Sequence, residues 1–317
     1  MTPRKVACVG SGTIGSSWAL LFALKGHDVV TYDVSDDVLS RSTALISNML
    51  ETMVVNEIIG KDQVKPVLDK ISSTTRLAEV SDCDYVQESA LERMDVKIDL
   101  LGKLERVVGD HVAIASSTSG LPIATMQKDM IHPERAVIVH PFNPPHLVPL
   151  VEIVRGEKTS QITVDDVFAL MESLGKIPVR VNKQLPGFAA NRLQTAILRE
   201  SMAMLAEGVV DADGLEKIMS AGIGLRWAFM GPLLTANLAG GPGGLDYYFD
   251  HFGPLTQSIC ETLSAWTSFP EDAKKKAAGQ LRSLPVVRGK QYAELVKWRD
   301  QNLINILKER GYLPSRD

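Results

Sequence analysis

The sequence predicts an α/β fold, a mostly parallel sheet with a helical hairpin insertion, followed by an all-α C-terminal domain. Three observations point there. Short β-branched apolar runs alternate with amphipathic segments through the first half of the 317 residues, the rhythm of strand and crossover helix. The stretch Gly10-Ser11-Gly12-Thr13-Ile14-Gly15 follows the first run and opens a helical pattern. Past residue 185 every patterned segment reads as helix. At roughly 150 residues per domain the chain is long enough for two. Leu185-Pro186-Gly187 sets the boundary, giving an α/β domain over residues 1–185 and a helical domain over 186–317.

Strands are expected at residues 6–9, 28–32, 85–87, 112–115 and 137–139, with another near Ile71 and two more at 148–154 and 177–181. Residues 36–70 read as helix, a break at Gly60, and helix, so a hairpin is expected to project from the sheet. A further helix over 163–174 precedes the last strand. In the second domain helices are expected over 188–208, 211–220, 232–239, 244–251, 255–266 and 290–310, and Lys274 to Lys276 reads as a solvated helix face.

Composition removes several classes of function. A net charge of -4 leaves no broad basic field for nucleic acid or an anionic membrane. Cys8, Cys83 and Cys260 are far apart, which fits a reduced compartment and offers no sequence-local metal site. The N-terminal apolar run is too short for a signal core, no stretch of about 18 apolar residues follows, and the ending Ser315-Arg316-Asp317 is not a peroxisomal signal. A cytoplasmic protein is expected.

The glycine stretch, placed between a strand and a helix, has the form of a dinucleotide site in a Rossmann-type sheet. Gly10 permits the tight turn, Gly12 lets a pyrophosphate approach the backbone, and Gly15 allows close packing. The amides of Thr13 and Ile14 open the helix toward the phosphates. Asp33, at the end of the second strand, suits the adenosine ribose hydroxyls and repels a 2'-phosphate, so the expected cofactor is NAD.

Of six histidines, His140 stands apart: it ends a strand and enters the rigid turn Pro141-Phe142-Asn143-Pro144-Pro145. Strand, turn, strand brings Glu152 back beside it. A carboxylate there fixes the imidazole tautomer, as a base accepting a hydroxyl proton requires. The bland alternative is a satisfied structural histidine. His27, His111, His132, His146 and His251 read as surface or packing residues.

These residues resemble the short-form L-3-hydroxyacyl-CoA dehydrogenase family and its relatives that oxidise free 3-hydroxy acids. The motifs are the glycine loop, Gln87-Glu88-Ser89, Ser116-Ser117-Thr118-Ser119, His140 to Pro144, Leu150-Val151-Glu152, and Pro186-Gly187-Phe188 leading to Asn191-Arg192-Leu193. The resemblance implies that His140 is the base and Glu152 its orienting partner. It implies that Ser119 and Asn191 bond the reacting oxygen or neighbouring carbonyl, that Asn143 meets the nicotinamide side or substrate, and that Glu88 and Lys97 lie near the nicotinamide ribose. A strand-end serine capping the next turn is the other reading of Ser119.

Residues 36–70, which in the CoA-dependent members carry basic residues toward CoA, here hold four basic side chains against six acidic ones. Arg226, amid Leu225, Trp227 and Phe229, resembles the free-acid branch, where a guanidinium in apolar surroundings suits a substrate carboxylate. Pairing with a protein carboxylate or stacking on Trp227 is the other reading. The expected reaction is NAD-dependent oxidation of a small free L-3-hydroxy acid of the L-gulonate kind. L-carnitine, then an L-3-hydroxyacyl-CoA, are the alternatives, because the motifs resemble both lambda-crystallin (L-gulonate 3-dehydrogenase) and L-carnitine 3-dehydrogenase. A structural or sensor protein that binds NAD is the contrasting class. The helix over 188–208 is apolar on most sides, and with the resemblance it implies a homodimer through the helical domain.

Overall fold

In the computed structural model, which describes residues 4–314, strand β1 (Lys5–Val9) runs into helix α1 (Thr13–Leu24) and β2 (Asp28–Tyr32) returns beside β1. The C-terminal tripeptide read above lies outside the described residues. Helices α2 (Asp36–Val55) and α3 (Lys61–Leu68) lead to β3 (Ile71–Thr74). The chain continues through β4 (Tyr85–Glu88), α4 (Met94–Val107), β5 (Ala113–Ser116), a single turn α5 (Ile123–Met126), β6 (Ala136–Pro141), β7 (Leu150–Val154), α6 (Gln161–Ser173) and β8 (Ile177–Val181). All eight strands form one sheet in the order β3-β2-β1-β4-β5-β6-β7-β8. Every neighbouring pair is parallel except β6 with β7.

Alternation along the strands divides the core. Val6 and Cys8 of β1 join one apolar cluster with Trp18, Leu20 and Phe22 of α1. Ala7 and Val9 join another, with Leu101 and Leu104 of α4. This is the two-residue period of a sheet covered on both faces. The hairpin is held more closely than expected: Ile46, Leu50 and Met53, one stripe of α2, are buried in the cluster built on α1.

The chain forms two compact units, one running to Arg192 and resuming at Asp300, the other over Leu193–Arg299. Helix α7 (Ala190–Glu207) starts two residues later than expected because Gly187 and Phe188 both adopt left-handed backbone, at φ 75° and 52°. Helix α8 (Ala212–Ile218) runs on through a π-turn, Met219–Ile223, into α9 (Gly224–Trp227), where the sequence reading stopped at residue 220. Then follow α10 (Pro232–Ala239), α11 (Gly244–Thr262), α12 (Glu271–Ser283) and α13 (Tyr292–Glu309). Two short helices were expected where α11 is continuous. Pro254 removes one main-chain hydrogen bond, but the helical turns on both sides carry the segment through. No helix among the described residues is long and apolar enough to cross a membrane.

Candidate active site

The strand order places β1 between β2 and β4, so the chain turns in opposite directions after β1 and after β4. Crevices at such a switch point, beyond the carboxyl ends of the strands, take ligands. Gly10, Asp33, Glu88, Ser119 and His140 all lie at or just past the carboxyl ends of β1, β2, β4, β5 and β6.

The glycine turn fits a dinucleotide. Gly10 sits at φ 92°, and a Cβ there would stand 2.6 Å from the Ala90 amide nitrogen. A Cβ on Gly15 would meet the Gly10 carbonyl oxygen. At Gly12 a Cβ would meet nothing within 4 Å, so the backbone faces open space where a pyrophosphate would approach. No side chain caps α1, which leaves its first amides, those of Thr13 and Ile14 among them, to an anion. Asp33 is half-buried, and its carboxylate accepts from the Ser11 amide at 2.9 Å, which ties the acid after β2 to the glycine turn.

Glu88 and Lys97 are fully buried and spent on each other, Nζ to carboxylate at 2.7 and 3.0 Å. Glu88 also accepts from the Ala90 amide at 2.6 Å and from the Ser116 hydroxyl. They therefore brace the loop after β4 from beneath. Their link to the surface is Glu92, 3.5 Å from Lys97 Nζ, which the sequence reading passed over. Glu92 accepts from the Thr118 hydroxyl at 2.5 Å and the Ser119 amide at 3.0 Å. The available signal was a second acid four residues after the first.

Ser117, in the middle of its serine-rich motif, is a hub. Trp18 Nε1 donates to its hydroxyl oxygen at 3.2 Å and Gln87 Nε2 at 2.8 Å. With both lone pairs taken, its own proton goes to Ser89, 2.8 Å away. Ser119 is exposed, and Asn191 donates to its carbonyl at 3.1 Å, so the structure brings these two expected residues together. The capping of the next turn falls to Thr118, whose hydroxyl accepts from the Leu121 amide at 3.0 Å.

His140 Nδ1 lies 2.9 Å from Glu152 Oε2. The imidazole is packed by Phe142 and Phe188, with ring centroids at 5.2 and 5.4 Å. The other oxygen of Glu152 accepts from the Ala189 and Ala190 amides, each at 3.0 Å. Burial alone would raise this carboxyl; the bonds from His140 and the two amides outweigh it and hold the carboxyl below its ordinary value. An ionised Glu152 keeps the proton on Nδ1 and leaves Nε2 as the acceptor. Asn143 is exposed in the turn between the two strands. Of the other histidines, His27 and His146 are buried in hydrogen bonds to Arg4 and Ser17, and His251 lies within α11 instead of at a helix end.

Arg226 and Trp227 belong to the second unit, on α9 directly after the π-turn. Arg226 is exposed, as are Leu225, Trp227 and Phe229, so the cost of burying a guanidinium does not arise within the chain itself. A carboxylate role for Arg226 is thus left to the resemblance with the free-acid branch.

Residues 5–184 match the family model described as 3-hydroxyacyl-CoA dehydrogenase, NAD binding domain, and residues 187–281 match 3-hydroxyacyl-CoA dehydrogenase, C-terminal domain. The chain is 40% identical to the L-carnitine dehydrogenase of Nocardiopsis dassonvillei over 96% of its length and 91% of that protein's. It is 32% identical to the lambda-crystallin homolog of Homo sapiens, over 96% and 95%. Among solved structures, 5-formyl-3-hydroxy-2-methylpyridine 4-carboxylic acid 5-dehydrogenase, an NAD+ dependent dismutase, matches over 100% of both chains with TM-score 0.82 and 28% identity. The (S)-3-hydroxybutyryl-CoA dehydrogenase of Ralstonia eutropha matches with TM-score 0.66 and 27% identity, over 98% of this chain and 95% of that one.

Proposed function

Given that the chain belongs to the 3-hydroxyacyl-CoA dehydrogenase family and is an NAD-dependent oxidoreductase, we propose that it oxidises L-carnitine at the 3-hydroxyl. The observation that carries this reading is the 40% identity, along nearly the whole chain, to proteins named L-carnitine dehydrogenase. It displaces L-gulonate, the substrate preferred on sequence alone. The acid-rich hairpin speaks against a CoA tail, since no Lys or Arg occurs between Ser42 and Gly60. A trimethylammonium group requires aromatic faces, and Trp227, Tyr247 and Phe249 are 39%, 50% and 55% exposed.

In this reading His140 Nε2 takes the proton of the 3-hydroxyl. Glu152, ionised and bonded to Nδ1, stabilises the imidazolium that results. NAD, which the glycine turn and Asp33 would hold, would supply the acceptor for the hydride leaving C3. Ser119 and Asn191, linked through the Ser119 carbonyl, hold the developing carbonyl oxygen, and Asn143 meets the nicotinamide side. Gly10, Gly12, Gly15, Thr13, Ile14 and Asp33 bind the dinucleotide. By the resemblance to the free-acid branch, Arg226 is assigned the substrate carboxylate and Trp227, exposed on α9, the ammonium.

We also read the protein as a cytoplasmic homodimer. Leu233 and Leu238 of α10 and Leu255 of α11 are 70%, 60% and 61% exposed, an apolar face suited to a second copy. The three cysteines are free, as in a reducing compartment. Gel filtration is expected to give twice the 34.6 kDa chain mass.

The substrate reading is tested by turnover with NAD on L-carnitine, L-gulonate, L-3-hydroxybutyrate and 3-hydroxybutyryl-CoA. L-Carnitine is expected to have the highest kcat/KM. A higher value for any other member of the panel replaces it, and NADH binding without turnover of any of them favours the sensor class.

A further inference from the structure

The turn from Phe142 to Pro149, which joins the strands of His140 and Glu152, is fastened from behind by groups outside the proton-transfer pair. Within the turn, the Leu147 and Val148 amides both donate to the Pro144 carbonyl at 3.0 Å. That leaves the carbonyls of Pro145 and Val148 to find partners elsewhere. Lys176, just before β8 and 7% exposed, supplies both: its ammonium donates to Val148 O at 2.7 Å and to Pro145 O. Its remaining side faces the indole of Trp18, 5.3 Å from the ring centroid.

The neighbouring residue of α1 adds a second tie. Ser17 Oγ lies 2.7 Å from His146 Nδ1 and accepts from the His146 amide at 2.9 Å. Trp18 in turn reaches Ser117 through its ring nitrogen. Helix α1 therefore presents its first turn to the dinucleotide site and its middle to the back of the catalytic turn.

A buried ammonium is a costly way to fill this space. No acidic side chain pairs with Lys176 among the described residues, and burial pushes its pKa down to about 7. Methionine would pack the same volume without that desolvation penalty. What an ammonium does there that Met cannot is to hold two carbonyls and an aromatic face together.

We propose that Lys176 is a positioning residue for the dehydrogenase reaction, fixing the turn that carries Asn143 and joins His140 to Glu152 against the helix that opens at the glycine loop. The inference rests on the assignment of His140 and Glu152 as the proton-transfer pair. Lys176 touches neither of them and acts through the turn.

The cavity against this turn, about 210 Å³ and lined in part by His146, Leu147, Lys176 and Tyr312, makes the proposal testable by rescue. In the full-length enzyme, Lys176→Ala is expected to lower kcat for L-carnitine by about tenfold to a hundredfold while KM for NAD changes by less than about threefold. Ethylammonium chloride is expected to restore much of that loss, relative to the wild type in the same buffer, and potassium chloride at equal ionic strength is not. Lys176→Met, which keeps the packing, is expected to lose kcat similarly. In both variants, amide hydrogen exchange over residues 143–149 should quicken while that of β1 and α1 is unchanged.

Wild-type kcat in Lys176→Met with wild-type exchange in the turn would overturn the proposal, as would rescue by potassium chloride equal to that by ethylammonium. If the wild type does not oxidise L-carnitine, the substrate reading alone fails. The exchange measurement and NADH titration of the same variants then decide the role of Lys176, unchanged exchange counting against it. If His140→Gln keeps wild-type turnover, the pair assignment fails instead.

Discussion

His140 and Glu152 are direct register partners on the antiparallel strands β6 and β7, with Nδ1 and Oε2 2.9 Å apart. No loop movement is needed to assemble them. The ladder that pairs Val139 with Ile153 and Pro141 with Val151 fixes the imidazole and the carboxylate on one face of the sheet, and the second oxygen of Glu152 is held by two amides from the start of α7.

Replacing the carboxylate should therefore cost turnover far more than binding. Glu152→Gln is expected to reduce kcat by about 10²–10⁴-fold, the range for disabling general-base catalysis, with NADH affinity nearly unchanged. Stopped-flow turnover and fluorescence titration on the same preparation check this. Because the Glu152 carboxyl is held below its ordinary value, its contribution to stability is whole above the unfolded value of about 4.3 and drains away as pH falls toward the folded value. Urea unfolding between pH 3 and 6 should show the wild type losing an advantage over Glu152→Gln as the pH drops.

Gly187 is the second point of leverage. Its φ of 75° is easy for glycine alone, and the left-handed Phe188 that follows turns the Ala189 and Ala190 amides onto Glu152. Gly187→Ala should destabilise the fold by about 1–2 kcal/mol. It should also lower kcat, because the amides that hold the carboxylate shift with the turn. Equilibrium unfolding and turnover are the two readouts.

Lys176 gives a stability signal of the same sense in pH, over a higher interval. Its folded value, pushed down to about 7, lies below the unfolded value of about 10.4, so the unfolded chain binds more protons across that interval. Stability relative to Lys176→Met should then rise with pH between about 7 and 10, by up to about 1.4 kcal/mol per pH unit. Parallel unfolding curves at pH 6, 7.5 and 9 test it, and a difference that does not vary with pH would remove the titration.

Asp33 should set cofactor choice. Asp33→Ala is expected to weaken NAD by about tenfold, as for loss of a hydrogen bond to a charged group, and to narrow the gap to NADP. The Ser11 amide, left without its carboxylate partner, should make the phosphate turn exchange faster. An unchanged NAD to NADP ratio would count against the assignment.

Much of this was legible in the residues. The strands showed as short β-branched runs, and the approach of Glu152 to His140 followed from strand, turn, strand over a short separation. Lys176 and Glu92 escaped because their partners are main-chain carbonyls, amides and hydroxyls about 26 to 31 residues away, and nothing in local pattern marks such a pairing. The left-handed Phe188 was invisible because its conformation is imposed by packing against His140 rather than by its own preference. Pro254 misled for the converse reason: strong local punctuation was overridden by the helical turns around it.

The division at Arg192 has an evolutionary consequence. His140, Glu152, Ser119, Asn191 and the glycine turn all belong to the first unit, and Arg226 and Trp227 belong to the second. On the proposed assignment of Arg226 and Trp227, substitutions on α9 would change which acid is accepted while leaving the residues of the first unit untouched. On that proposal a lineage exchanges substrates by drift in the second unit alone, and the proteins this chain resembles carry names as different as L-carnitine, a pyridine carboxylic acid and hydroxybutyryl-CoA dehydrogenase.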